Sequence, residues 1–127
     1  MLTNLLYIFL GGGAGSVMRY LMTVGVGRAL PGVSFPWPTL GVNILGAFLI
    51  GILLEILALR MALTAPVRFL LVTGFLGGFT TFSAFSLEAA LMLEKSAYIP
   101  LVAYIGASVI GTIAAVFIGS GLVRSLS

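Results

Sequence analysis

Four long apolar stretches, at about residues 4–26, 39–59, 66–93 and 98–123, take up nearly the whole chain and leave little to face water. A hydrocarbon core about 30 Å thick takes roughly 20 helical residues per crossing, so each stretch is long enough for one pass. Lipid offers backbone groups no partners, and a helix satisfies them within the segment. Of 127 residues, 61% are hydrophobic and 7% are charged. Soluble domains carry about a quarter charged residues, so the chain reads as an all-α integral membrane protein, one four-span domain over residues 1–127 of a multi-pass protein of the cell (inner) membrane.

The first stretch has no basic residue before it and is interrupted by Gly11, Gly12 and Gly13, so it reads as a mature span rather than a signal peptide. Pro31, Pro36 and Pro38 make residues 30–38 a connector, with Trp37 suited to a membrane interface. Pro66 suits the first turn of span 3, and Glu94-Lys95 is its charged stop. Cysteine, histidine and aspartate are absent, which removes thiolate chemistry, imidazole proton relays and most transition-metal sites. The net charge of +3 comes from scattered residues, which mark interfaces and not a nucleic-acid surface. A four-pass weave puts Arg60, Arg68 and Arg124 on one side against Arg28 and Lys95 on the other, with Arg19 deep in span 1. So small a bias favours neither orientation, and insertion both ways up is expected.

Span 3 is expected to be broken at its centre. Its sequence places adjacent glycines, Gly77 and Gly78, before a run rich in hydroxyls, Thr80-Thr81-Phe82-Ser83-Ala84-Phe85-Ser86, in mid-span. Non-helical backbone at that depth is tolerated only where it is buried in protein or faces water or an ion. A half-helix ending near Gly77 points carbonyls at a cation, and one beginning near Thr80 points amides at an anion. A plain kink filled by a neighbouring helix is the alternative.

Polar groups elsewhere choose a sign. Tyr104, Ser108 and Thr112 stack three hydroxyls on one face of span 4, unless each bonds back to a carbonyl of its own helix. Phe79, Phe82 and Phe85 recur every three residues; they are either packing or rings whose positive edges line an anion's path. Asn43 lies well inside span 2 and must face something polar. Glu55 and Glu94 sit near span ends and Glu88 lies somewhat deeper, so no ring of buried carboxylates selects a cation. Arg19 either adds positive potential to a vestibule or snorkels to the headgroups. Span 4 also carries Ala103, Ala107, Gly111, Ala115 and Gly119 at four-residue spacing, a strip along which helix backbones approach closely, within one subunit or between two; Gly11, Gly15, Ala47 and Gly51 offer similar contacts.

These residues resemble the fluoride channels called Fluc or CrcB. The match covers Gly11-Gly12-Gly13-Ala14-Gly15-Ser16-Val17-Met18-Arg19-Tyr20, Thr39-Leu40-Gly41-Val42-Asn43 and residues 74–86, the last being the most specific. The resemblance implies an antiparallel, dual-topology homodimer in the lipid bilayer, with two narrow fluoride pores and one structural sodium ion that is not transported. It implies that Gly77 and Thr80 offer backbone carbonyls to sodium. Asn43, Phe82, Phe85 and Ser83 then line the pore with the track of Tyr104, Ser108 and Thr112. Arg19, Glu88 and Thr39 fall at a vestibule or pore mouth. Family members often carry threonine where this chain has Ala84, which loses a hydroxyl, and leucine is frequent where it has Phe79.

A proton-coupled exporter of the small multidrug type also has four spans and dual topology. It needs a carboxylate in span 1, which here holds Arg19 and no acid. A scaffold protein leaves the polar track and the broken helix without a purpose. The spans hold no base and nucleophile pair, so an enzyme is not expected. The residues point to an anion pathway; fluoride, leaving the cell passively so that its cytoplasmic concentration falls, comes from the resemblance.

Overall fold

The computed structural model describes residues 1–59 and 64–127. Arg60 lies outside these, so the charge tally between the two sides rests partly on a residue not described. Four helices are long and apolar enough to cross a membrane, and the described residues contain no strand. They are α1 (Leu2–Ala29), α2 (Trp37–Leu59), a composite third span and α6 (Tyr98–Ser125). The third span consists of α3 (Ala65–Arg68), a π-helix (Phe69–Leu76), α4 (Gly77–Phe79) and, beyond a break, α5 (Phe82–Glu94).

The turns follow local chemistry. Gly32, at φ +77°, carries the Pro31-Gly32 turn after α1. At the end of α5, Ser96 takes φ +56° while its N–H bonds the Leu93 carbonyl at 3.0 Å and the Ala97 N–H bonds that of Met92 at 2.9 Å. That pair of bonds is a Schellman cap, and it turns the chain directly into α6.

The helices pack as two pairs on bare backbone. In one pair, α1 lies along the π-helix and α4. A Cβ at Gly11 would strike the Leu70 carbonyl oxygen, one at Gly15 that of Phe75, and one at Gly78 that of Gly12. In the other pair, α2 lies against α6: Gly51 meets the Val116 backbone and Gly119 meets the Phe48 backbone. Gly111, Ala115 and Gly119 therefore spend the lower part of the small-residue strip on a contact within the subunit, with Ile44 against Gly111. Ala103 and Ala107 remain exposed. Arg124 clamps the same pair by donating from Nε to Glu55 Oε1 at 2.8 Å and from Nη2 to Oε2 at 2.9 Å.

Large apolar side chains face outward all round, among them Ile99, Phe9, Phe117 and Ile110. Water does not tolerate so much continuous apolar surface, and lipid does.

Candidate functional site

The break in span 3 lies later than the glycines. Gly77 and Gly78 stay helical, and the extended residues are Thr80 (φ −79°, ψ 158°) and Thr81 (φ −152°, ψ 119°). Two causes combine. Gly78 is needed for close approach to Gly12, and β-branched threonines accept extended backbone readily. Thr81 then caps the new helix, its Oγ1 accepting from the Ala84 N–H at 3.2 Å, with Ser83 Oγ also 3.2 Å away.

Three side chains satisfy the broken backbone. Asn43 Nδ2 donates to the Thr81 carbonyl at 2.9 Å while its Oδ1 accepts the Thr81 N–H at 2.8 Å. In an unbroken helix that N–H would serve the Gly77 carbonyl, which thus loses its helical partner. Arg19 Nη1 donates to the Thr80 carbonyl at 3.1 Å, and Ser16 Oγ to the Gly78 carbonyl at 3.4 Å. Arg19 therefore does not snorkel: it brings its charge to the break, and it occupies one lone pair of a carbonyl expected to face a cation.

Beside the break lies a cavity of about 410 Å³ between α2, the third span and α6. Asn43, Gly77, Thr80, Thr81, Phe82, Phe85, Ser108 and Thr112 line it, with Gly46, Ala47 and Ile50 among the apolar remainder. Phe82 and Phe85 rings are 5.4 Å apart and tilted by 42°, with Phe82 78% exposed. Phe79 is buried and stacks on Phe75 at 5.9 Å, so it belongs to packing while the other two face the cavity.

The three hydroxyls of span 4 behave differently from one another. Thr112 bonds back to its own helix, Oγ1 to the Ser108 carbonyl at 2.6 Å. Tyr104 donates to Glu88 Oε2 at 2.5 Å, and Thr39 donates to Oε1 of the same carboxylate at 2.7 Å, which joins α2, α5 and α6 through residues about one turn from Asn43, Phe85 and Ser108 and outside the cavity lining. Ser108 Oγ is buried with no partner among the described residues. Buried hydroxyls are almost always paired, so this one is available to something absent from a single chain.

Of the residues expected to line the pore, Asn43, Phe82, Phe85, Ser108 and Thr112 come together at this cavity, whereas Ser83 and Tyr104 are not in its lining; Thr81, Ser16 and Phe35 were passed over. Thr81 had a signal: a threonine opening a helical stretch is an N-cap pattern, here in mid-span. Ser16 and Phe35 had none, since their partners lie 62 and 69 residues away, at Gly78 and Tyr104.

The family described as "CrcB-like protein, Camphor Resistance (CrcB)" matches residues 6–120. The chain is 48% identical over 123 residues to a fluoride-specific ion channel FluC of Chelativorans sp., covering 97% of this chain and 98% of that one. It is 50% identical over 123 residues, with the same coverage, to the fluoride-specific ion channel FluC of Agrobacterium fabrum. The like-named protein of Rhizobium meliloti is 44% identical over 125 residues, 98% of this chain and 99% of its own. With four apolar helices, a third one broken in mid-span and a family match that spans nearly its full length, the chain belongs to the CrcB family.

Proposed function

We propose that this protein is a fluoride channel that lets the anion leave the cell passively, with no catalytic step. The observation that carries the reading is the unpartnered Ser108 hydroxyl, buried in a cavity that also presents the Asn43 amide and the rings of Phe82 and Phe85. Fluoride is small and holds its water strongly, so a narrow path must replace that water with donors. Ser108 has a free O–H, and Asn43 commits one of its two N–H groups to Thr81. Ring edges carry partial positive charge and guide an anion without binding it as a fixed cation would. The path holds no carboxylate in its lining, and the positive end of α5 opens onto it.

The pathway is completed by a second copy, packed antiparallel, in a dual-topology homodimer with two pores. In support, Phe82 is largely exposed beside a cavity that presents the Asn43, Thr81 and Ser108 side chains, which lipid alone would cover badly. Sodium at the dimer centre fits the donor set in part. The Gly77 carbonyl has lost its helical partner, whereas the Thr80 carbonyl keeps a single lone pair free of Arg19. The ligands that the family resemblance implies for it are backbone oxygens, the Gly77 and Thr80 carbonyls of each copy. Sodium supplies fixed positive charge there and does not move.

Purified protein in liposomes loaded with fluoride or chloride tests the reading. Fluoride release is expected within seconds, and chloride release is expected to stay near that of empty liposomes; equal release of both anions overturns it.

A further inference from the structure

Thr80, the first extended residue of the break, is fastened at its N–H, its hydroxyl and its carbonyl. The N–H and Oγ1 both donate to the Leu76 carbonyl, at 3.0 and 2.9 Å, and the Thr80 carbonyl accepts from Arg19. Held in this way, its Cγ2 methyl points at α2, and the residue it meets there is Gly46, which is buried. A Cβ at Gly46 would strike that methyl and would lie 3.4 Å from Cδ1 of Phe79. Gly46 follows Asn43 by three residues, so the two share one face of α2. Glycine is otherwise a poor residue for a helix interior, where alanine is the best.

We infer that Gly46 is a positioning residue of the anion pathway: its bare backbone is the socket for the Thr80 methyl and, with the Asn43 clasp on Thr81, seats both extended residues of the break against α2. The inference rests on the channel reading above. Asn43, Gly46, Thr80 and Thr81 all line the cavity, so what the socket positions is the cavity wall itself. A side chain at residue 46 leaves Thr80 two responses. Its χ1 can turn to another staggered well, which gives up the bond from Oγ1 to the Leu76 carbonyl. If it keeps its well, α2 and the break must move apart. Asn43, one turn away, is then drawn off the Thr81 N–H and carbonyl that it holds at 2.8 and 2.9 Å. Either response alters the wall where α5 begins, and Phe82, the first residue of that helix, moves with it.

Fluoride efflux from liposomes is measured for Gly46→Ala in the parent and in a Thr80→Ser background, which keeps the hydroxyl and removes the methyl. At a protein density low enough that a vesicle holds a single channel at most, the extent of release counts intact channels and the initial rate reports how fast each conducts. Overpacking of this kind shifts an equilibrium about tenfold, so Gly46→Ala is expected to slow the initial rate about tenfold in the parent. In the Thr80→Ser background, where the new Cβ has room, it is expected to slow the rate by no more than about twofold. Gly41→Ala is the control on the same helix: it lies outside the cavity lining, a Cβ there meets only Met22 Cε at 3.6 Å, and its rate is expected to match the parent. Unfolding temperature is followed through the same cycle, so the contact is tested even in a background that conducts slowly. Equal slowing by Gly46→Ala in both backgrounds, or an equal fall in unfolding temperature in both, overturns the inference while leaving the channel reading intact. A reduced extent of release at an unchanged rate assigns Gly46 to packing alone and overturns it too. A parent protein that releases no fluoride overturns both readings together.

Discussion

Asn43→Ala is expected to lower fluoride efflux more than tenfold and to reduce the free energy of unfolding by about 2 kcal/mol or more, because it orphans two backbone groups at once. Asn43 serves the N–H and the carbonyl of Thr81 together, at 2.8 and 2.9 Å. Each buried group left unmade costs about 1 to 3 kcal/mol. Read from sequence alone as a pore residue, Asn43 gives no sign of a role in stability. The geometry makes it both: with the clasp gone, Thr81 is free to turn, α5 loses its cap, and Phe82 and Phe85 lose the register that sets them at the cavity. Efflux from liposomes and unfolding in detergent measure the two effects. Unchanged stability would mean that Thr81 finds other partners and that Asn43 is a pore residue only.

Gly15→Ala is expected to be worse for the fold, at about 3 kcal/mol or more, as overpacking of a rigid contact is. Its new Cβ would lie within bonding-repulsion range of the Phe75 carbonyl oxygen and tight against the Phe79 N–H, both backbone atoms of the third span. Neither side can rotate away, since the obstacle is backbone and not a flexible side chain. The third span must therefore separate from α1, and the break it carries moves with it. Gly13→Ala is the matched control: nothing lies within 4 Å of a Cβ there, so it is expected to be neutral. Comparable losses at both positions would contradict a contact at Gly15 as the cause, since alanine is the better helix former and propensity alone favours both variants.

Span number and helical character were legible because hydropathy alone decides them in a chain so poor in charge. The break was legible in kind but not in place. Glycine in mid-helix suggests a break, yet Gly78 is there because Gly12 packs on its backbone, and the conformational change falls on Thr80 and Thr81. That Asn43 must have a polar partner followed from the cost of an amide in hydrocarbon, but the two-way clasp on Thr81 depends on the distance between α2 and the break. The π-helix of Phe69–Leu76 leaves no periodic trace in a stretch that is apolar on every side. It coincides with the stretch on which Gly11 packs, where helix contact and not local preference sets the backbone. Arg19 was ambiguous for a like reason: a long side chain reaches either the headgroups or the Thr80 carbonyl, and only the placement of α1 against α4 decides.

That the anion moves through the cavity beside the break is open to a direct test, because the chain has no cysteine of its own. Val109 lines the cavity and contributes no polar atom to it, so Val109→Cys is expected to conduct at close to the parent rate. Silver ion, a small thiol-binding cation, is then added in chloride-free buffer. Fluoride efflux through Val109→Cys is expected to stop, while Ile118→Cys, exposed on the outer surface and away from the cavity, continues unchanged. Undiminished efflux from silver-bound Val109→Cys would contradict a pathway through this cavity.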